Sequence, residues 1–137
     1  MKNLDRIKAG YAAFNRGDAS VVLGMMTPET IWQEGENSMY VAGSPFVGPE
    51  AVVRKVFARI PLEWDGFRAA PEQFYDAGNA IIVSGRFTGR YRETGRDMYC
   101  QFVHIFTMSG DKIAKFQEFA DTAHQRDVMA KTLAAAR

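Results

Sequence analysis

Apolar positions recur at spacings of three and four in the first half of the chain and at a spacing of two in the second half. This change of period predicts helices followed by strands. Leu4, Ile7, Tyr11 and Phe14 form one stripe of an amphipathic first helix. Asn15-Arg16-Gly17-Asp18 closes it, with Gly17 suited to a left-handed cap and Asp18 to a new N-cap. A second short helix is expected over Ala19–Met26, burying Val22, Leu23 and Met26, and Thr27-Pro28-Glu29 ends it. Thr30–Glu36 then alternates Ile31 and Gln33 against Trp32 and Glu34, a short strand that sets a carboxylate beside a large aromatic ring. Asn37–Val47 is a loop. Pro49 and Glu50 begin a helix whose apolar face is Val52, Val53, Val56, Phe57 and Ile60, and Pro61 stops it.

From Leu62 onward the period is two. Strands are expected over Phe67–Tyr75, Ala80–Tyr91, Asp97–Met108 and Lys112–Ala120, separated by glycine-bearing turns, which makes an antiparallel meander. An alanine-rich tail, Thr122–Arg137, is expected to be helical. Segregated helices and strands imply an α+β fold with the sheet wrapped around the helices. Apart from Gln101 and His104, the strand Cys100–Phe106 is hydrophobic on both faces, which predicts a sheet covered on both sides. Helices can cover one side. A second copy of the chain is the expected cover for the other, with Phe102, His104 and Phe106 near the contact.

Within the last strand, alternation puts Ala114, Phe116, Glu118 and Ala120 on one face. Glu118 is the only charge on that face. A carboxylate aimed at an apolar interior costs several kcal/mol unless it is paired, hydrogen-bonded or protonated, so Glu118 marks either a site or a buried ion pair, with Arg86 as a candidate partner.

Global properties narrow the function classes. The 137 residues make one domain with one core. A formal net charge of +1 gives no general attraction to nucleic acid or to anionic membranes. The only basic cluster, Arg86, Arg90, Arg92 and Arg96, is interleaved with Glu93 and Asp97 and reads as a solvated turn. Cys100 is the single cysteine, so neither an intrachain disulfide nor a cysteine metal cluster is expected, and no metal or organic cofactor is implied. The opening MKNLDRIKAGYAAF carries charges where a signal peptide needs an apolar stretch, and no run approaches a membrane span of about 18 apolar residues. A soluble, cytoplasmic protein is expected.

The phrases AAFNRGD, FVGPEAV, FVHIFTMSGDKI and FQEFADTA, in this order and spacing, resemble the SnoaL-like and ketosteroid-isomerase-like group of the nuclear-transport-factor-2-like superfamily over nearly the whole chain. The resemblance implies one SnoaL-like domain over residues 1–137. It implies a cone in which a curved, mostly antiparallel sheet wraps three helices around an apolar pocket, commonly as a homodimer, with a helix at the C-terminus. The general-base position of the steroid isomerases falls on Glu34. Their tyrosine position falls on Gly10, next to Tyr11, and their protonated aspartate falls on Val103, next to His104. The isomerase oxyanion hole is therefore not reproduced. The acid-base aspartate of SnoaL-like cyclases has Glu118 and Asp121 as its candidates.

The resulting expectation is a small-molecule acid-base enzyme, an isomerase, cyclase, dehydratase or hydrolase, acting on an apolar substrate. Glu34 is its base, Glu118 its second acid-base group or orienter, and Tyr11 a donor. Trp32, Phe57 and Phe116 are walls, with Val103 and Arg86 as further substrate contacts. Asp121 also fits the N-cap of the last helix, and His104 also fits a hydrogen-bonded core or interface residue. The alternative is a noncatalytic module that binds an apolar small molecule, or a dimeric structural protein.

Overall fold

A computed structural model describes residues 1–131. The first-helix stripe forms α1, Asn3–Phe14, and α2, Ser20–Gly24, follows a turn. Strand β1 spans Met26–Gln33 and β2 is the pair Phe46–Val47. Helix α3, Pro49–Val52, runs into a wide π turn, Val53–Phe57, and α4 is the single turn Ile60–Glu63. Four long strands complete the sheet: β3 Trp64–Asp76, β4 Ala80–Tyr91, β5 Asp97–Ser109 and β6 Lys112–Ala120. Helix α5, Thr122–Met129, ends the described chain. The expected helical tail beyond Lys131 lies outside the described residues.

The strand order is β2-β1-β6-β5-β4-β3, and every pairing is antiparallel except β1 with β6. One face of this sheet holds α1, α2 and the segment from α3 to α4, and the core lies between them.

Several local expectations change. Thr27-Pro28-Glu29 does not end a helix but lies within β1. Proline is tolerated there because the ladder to β6 skips from Met26 to Ile31, so Pro28 has no bond to donate. Phe46–Val47, expected as loop, pairs with Ile31 and Trp32. Pro61 does not simply stop a helix; it sits in the first turn of α4, where its missing N–H is not needed. In β6 an irregularity beyond the Thr107–Lys115 pair turns Ile113 inward and leaves Ala114 exposed, so strict alternation holds only from Phe116 to Glu118.

The larger correction concerns β5. Phe102, His104 and Phe106 do not face an outer contact; all three are buried on the helix side of the sheet. Helix α1 crosses this row, and the Tyr11 ring lies about 6 Å from each of the three rings. A strand that is apolar on both faces carries no alternation to say which face is inner, and α1 decides it. The outer face of β5 instead carries Tyr99, Gln101, Val103 and Ile105, with Phe119 opposite Val103 on β6.

Candidate functional site

The inner face of the sheet is organised in cross-strand rows. Trp32, Phe116 and Phe106 form one row across β1, β6 and β5, with the Trp32 and Phe116 rings stacked at 3.8 Å. The next row pairs Glu118 directly with His104. In the third row β4 carries Gly85 opposite Phe102. A Cβ at Gly85 would stand 2.8 Å from the Phe102 ring and 2.3 Å from the Ala70 carbonyl oxygen, so the absent side chain is what admits that ring. Phe102 in turn stacks on the His104 imidazole at 4.0 Å and holds its plane.

These rows and the helices line a cavity of about 80 Å³. Its walls are apolar, among them Ile7, Val56, Phe57, Phe106 and Phe116. Five lining residues carry a hydroxyl, carboxyl or imidazole: Tyr11, Glu34, Tyr40, His104 and Glu118, the Tyr40 hydroxyl being engaged with Glu63 at 3.0 Å. Three of them form a chain. The Tyr11 hydroxyl lies 2.6 Å from His104 Nδ1, and His104 Nε2 lies 3.2 Å from Glu118 Oε1. Glu118 Oε2 accepts the Gly35 backbone N–H at 3.2 Å. A carboxylate only accepts, so Nε2 carries a proton, and in the neutral ring Nδ1 then accepts from the tyrosine hydroxyl. Burial, and secondly the charge of Glu118, push the Tyr11 hydroxyl well above its usual range, which keeps it a neutral donor.

Glu34 follows the end of β1. The Trp32 indole N–H donates to Glu34 Oε2 at 2.8 Å, and the Glu34 backbone N–H donates to Ser44 Oγ at 2.9 Å. Burial, then the charge of Glu118, drive the Glu34 carboxyl well above its ordinary value, and the indole hydrogen bond only partly opposes this. Glu34 is thus biased toward its protonated form. The Glu118 oxygens meet an imidazole and a backbone N–H in place of water.

The structure thus gathers Glu34, Glu118, Tyr11, His104, Trp32, Phe57 and Phe116 in one cavity. It does not bring in the other three expected residues. Asp121 is the N-cap of α5, accepting the His124 N–H at 3.2 Å. Arg86 and Val103 have the opposite parity to their inward neighbours Phe87 and Phe102 and lie on the outer face; the Arg86 guanidinium sits 4.5 Å over the Tyr99 ring. Glu118 is therefore paired with a histidine, not with Arg86.

Sequence reasoning missed Gly35, whose backbone N–H donates to Glu118 Oε2 at 3.2 Å. A glycine directly after a candidate carboxylate was the available signal. It also missed Met39 and Gln125. Gln125 on α5 accepts the Met39 N–H at 3.0 Å and so fixes the loop that closes one end of the cavity. Among the described residues, no group of three or more histidine, cysteine or acidic side chains is placed to hold a metal ion. No helix among them is long and apolar enough to cross a membrane.

Residues 7–116 match the family model of the SnoaL-like domain. No curated protein matches the chain. Among solved structures, an NTF2-like protein from Burkholderia thailandensis is 29% identical, covers 95% of this chain and 99% of its own, and superposes with a TM-score of 0.88. An NTF2-like protein of unknown function from Burkholderia pseudomallei is 27% identical over the same shares, 95% and 99%, with a TM-score of 0.82. TerC, co-crystallised with polyporic acid, is 27% identical over 92% of this chain and 96% of its own, with a TM-score of 0.79.

Proposed function

The chain belongs to the SnoaL-like domain family, and we propose that it is a small-molecule enzyme whose own side chains transfer protons on an apolar, oxygen-bearing substrate. One observation carries this reading. A single apolar cavity contains a proton-holding carboxyl, Glu34, together with a Tyr11–His104–Glu118 chain able to accept a proton.

The chemistry follows from the hydrogen bonds. A substrate C–H or O–H proton passes to the Tyr11 oxygen while the Tyr11 proton passes to His104 Nδ1. The imidazolium that forms keeps its Nε2–H toward the Glu118 carboxylate, which stabilises the positive charge. Tyrosinate is disfavoured at this buried position, so the two transfers are coupled. Glu34 supplies its proton to the substrate oxygen on which negative charge develops, and the low dielectric of the cavity strengthens that interaction. Glu34 is thus the acid of the first step, and the base position expected from the steroid isomerases is taken by the histidine chain. Return of the relay proton to another substrate atom, as the substrate oxygen gives its proton back to Glu34, completes an isomerisation or cyclisation; return of the relay proton to a leaving hydroxyl, with the same return to Glu34, releases water and completes a dehydration. TerC, crystallised with polyporic acid, supports a small molecule as the ligand class.

The same reading includes a homodimer through the outer sheet face, where Tyr99 and Phe119 are exposed beside Val103 and Ile105. A cytoplasmic setting goes with it, since Cys100 is a buried free thiol of the kind that a reducing compartment maintains.

The test needs no known substrate. Small cyclic and aromatic ketones and hydroxyquinones are incubated with the protein in heavy water, and deuterium uptake is read by mass spectrometry. Exchange above buffer is expected for members that bind, and it should be lost in Tyr11→Phe and Glu34→Gln variants that keep the fold. Ligands that bind with no exchange above buffer would establish the noncatalytic binding module instead.

A further inference from the structure

The cavity of about 80 Å³ is smaller than the roughly 150 Å³ apolar cavity that accepts a benzene ring. A second depression of about 380 Å³ lies against it. Phe14, Phe57, Ile60 and Phe67 line both spaces, so they form the partition between them. We propose that the two are chambers of one binding site, with the outer one a subsite for the apolar body of an elongated ligand and Phe57 the movable part of the partition. The inference deepens the proton-transfer reading and rests on it only for the inner cavity as the place where the reacting oxygen sits.

Three observations support this assignment. The outer chamber continues the aromatic surface of the inner one: Trp64 meets Phe67 at 5.8 Å, Phe67 meets Phe14 at 6.5 Å, and Phe14 meets Phe57 at 5.4 Å. From there Phe57 reaches Trp32, on the inner wall, at 5.6 Å. Second, the polar side chains of the outer chamber have partners: Asn15 both donates to and accepts from the Ala69 backbone, and Arg92 pairs with Asp65 at 2.8 Å at the exposed rim. The lining is mixed, and its aromatic part, Phe14, Phe57, Trp64 and Phe67, is the part that meets an apolar body. Third, Phe57 ends the π turn and is followed by Ala58 and Arg59 before α4 begins, so it is flanked by a break between helical segments. Rotation of this one side chain joins the chambers without moving the sheet.

The specificity that follows is for molecules with a hydrogen-bonding carbonyl head and an apolar tail longer than the inner cavity. The chain's two tryptophans report on the chambers separately, Trp32 on the inner and Trp64 on the outer. Fluorotryptophan-labelled protein is titrated with methyl alkyl ketones from butanone to undecanone and followed by fluorine NMR, with each resonance assigned from the Trp32→Phe and Trp64→Phe proteins. Butanone should move the Trp32 resonance alone. Longer ketones should move both, and affinity should keep rising by about fourfold per added methylene after the inner cavity is full. Phe57→Ala and Phe57→Leu should speed binding and release of the long ketones at least several-fold, and Phe57→Trp should slow them. Affinity that levels off at short chain length with Trp64 unmoved overturns the proposal, as does long-ketone binding sensed by Trp64 alone, or exchange rates indifferent to every Phe57 variant. Failure of the proton-transfer reading looks different: both resonances respond as stated, and no deuterium enters any ketone.

Discussion

Replacing Glu34 with glutamine should stabilise the protein at neutral pH, and the gain should grow as pH rises. Only 4% of Glu34 is exposed, and burial is the largest cause of its raised proton affinity, followed by the charge of Glu118. In the unfolded chain the carboxyl ionises near its ordinary value of 4.5, whereas in the folded protein it keeps its proton to higher pH. Below 4.5 both states are protonated and the contribution of the group to stability is fully present. Between the unfolded and folded values the native state holds one proton more, so stability falls with rising pH by about 1.4 kcal/mol per unit. Glutamine copies the neutral acid in shape, keeps an oxygen for the Trp32 indole N–H, and titrates in neither state. The stability difference between Glu34→Gln and the parent should therefore be small near about pH 4 and climb by about 1.4 kcal/mol per pH unit above it, levelling once the folded carboxyl ionises. Urea denaturation of both proteins at closely spaced pH values measures this difference directly. A flat difference, or one that falls with pH, would show that Glu34 ionises normally in the folded protein and would remove it as the proton donor.

Three further outcomes are expected. Tyr11→Phe leaves His104 Nδ1 without its 2.6 Å partner in a buried setting and should cost about 1–3 kcal/mol in urea melts, with a changed imidazole nitrogen shift in NMR; an unchanged melt and shift would mean that the hydrogen bond is not formed in solution. Phe116→Ala removes the ring stacked at 3.8 Å on Trp32 and enlarges the inner cavity, a loss of about 3–5 kcal/mol, and a smaller loss would indicate that the walls collapse into the space. For the dimer, Phe119→Glu combined with Ile105→Glu puts two charges on the outer sheet face, where Phe119 is 52% exposed, and should convert the protein to a monomer by sedimentation velocity while the fold is kept. A parent protein that sediments as a monomer at micromolar concentration, or a variant that stays dimeric, would place the interface elsewhere or remove it.

Local periodicity in the sequence determined the elements and much of the site. A period of three to four put Tyr11 on the stripe of α1 that packs inward, and a period of two put Glu118 on the buried face of β6 beside Phe116. The same alternation set Glu34 with Trp32, because two residues apart on an extended chain means one face. Glycine and proline marked nearly every turn, since their backbone limits act within a few residues. Only the tertiary structure decided which face of β5 is inner, because Cys100–Phe106 is apolar on both sides and nothing local distinguishes them. That choice carried His104 into the cavity, between a tyrosine 93 positions before it and a glutamate 14 positions after it. It also carried Arg86 and Val103 out. The parallel pairing of β1 with β6 was equally hidden: it joins segments more than 80 residues apart, and its skip from Met26 to Ile31 is what lets Pro28 lie in a strand. The raised proton affinity of Glu34 belongs to the same class, since burial and the nearby Glu118 cause it. Glu34 and Glu118 are chemically alike in the sequence, and only the folded protein gives one an indole N–H and apolar walls and the other a backbone N–H and an imidazole.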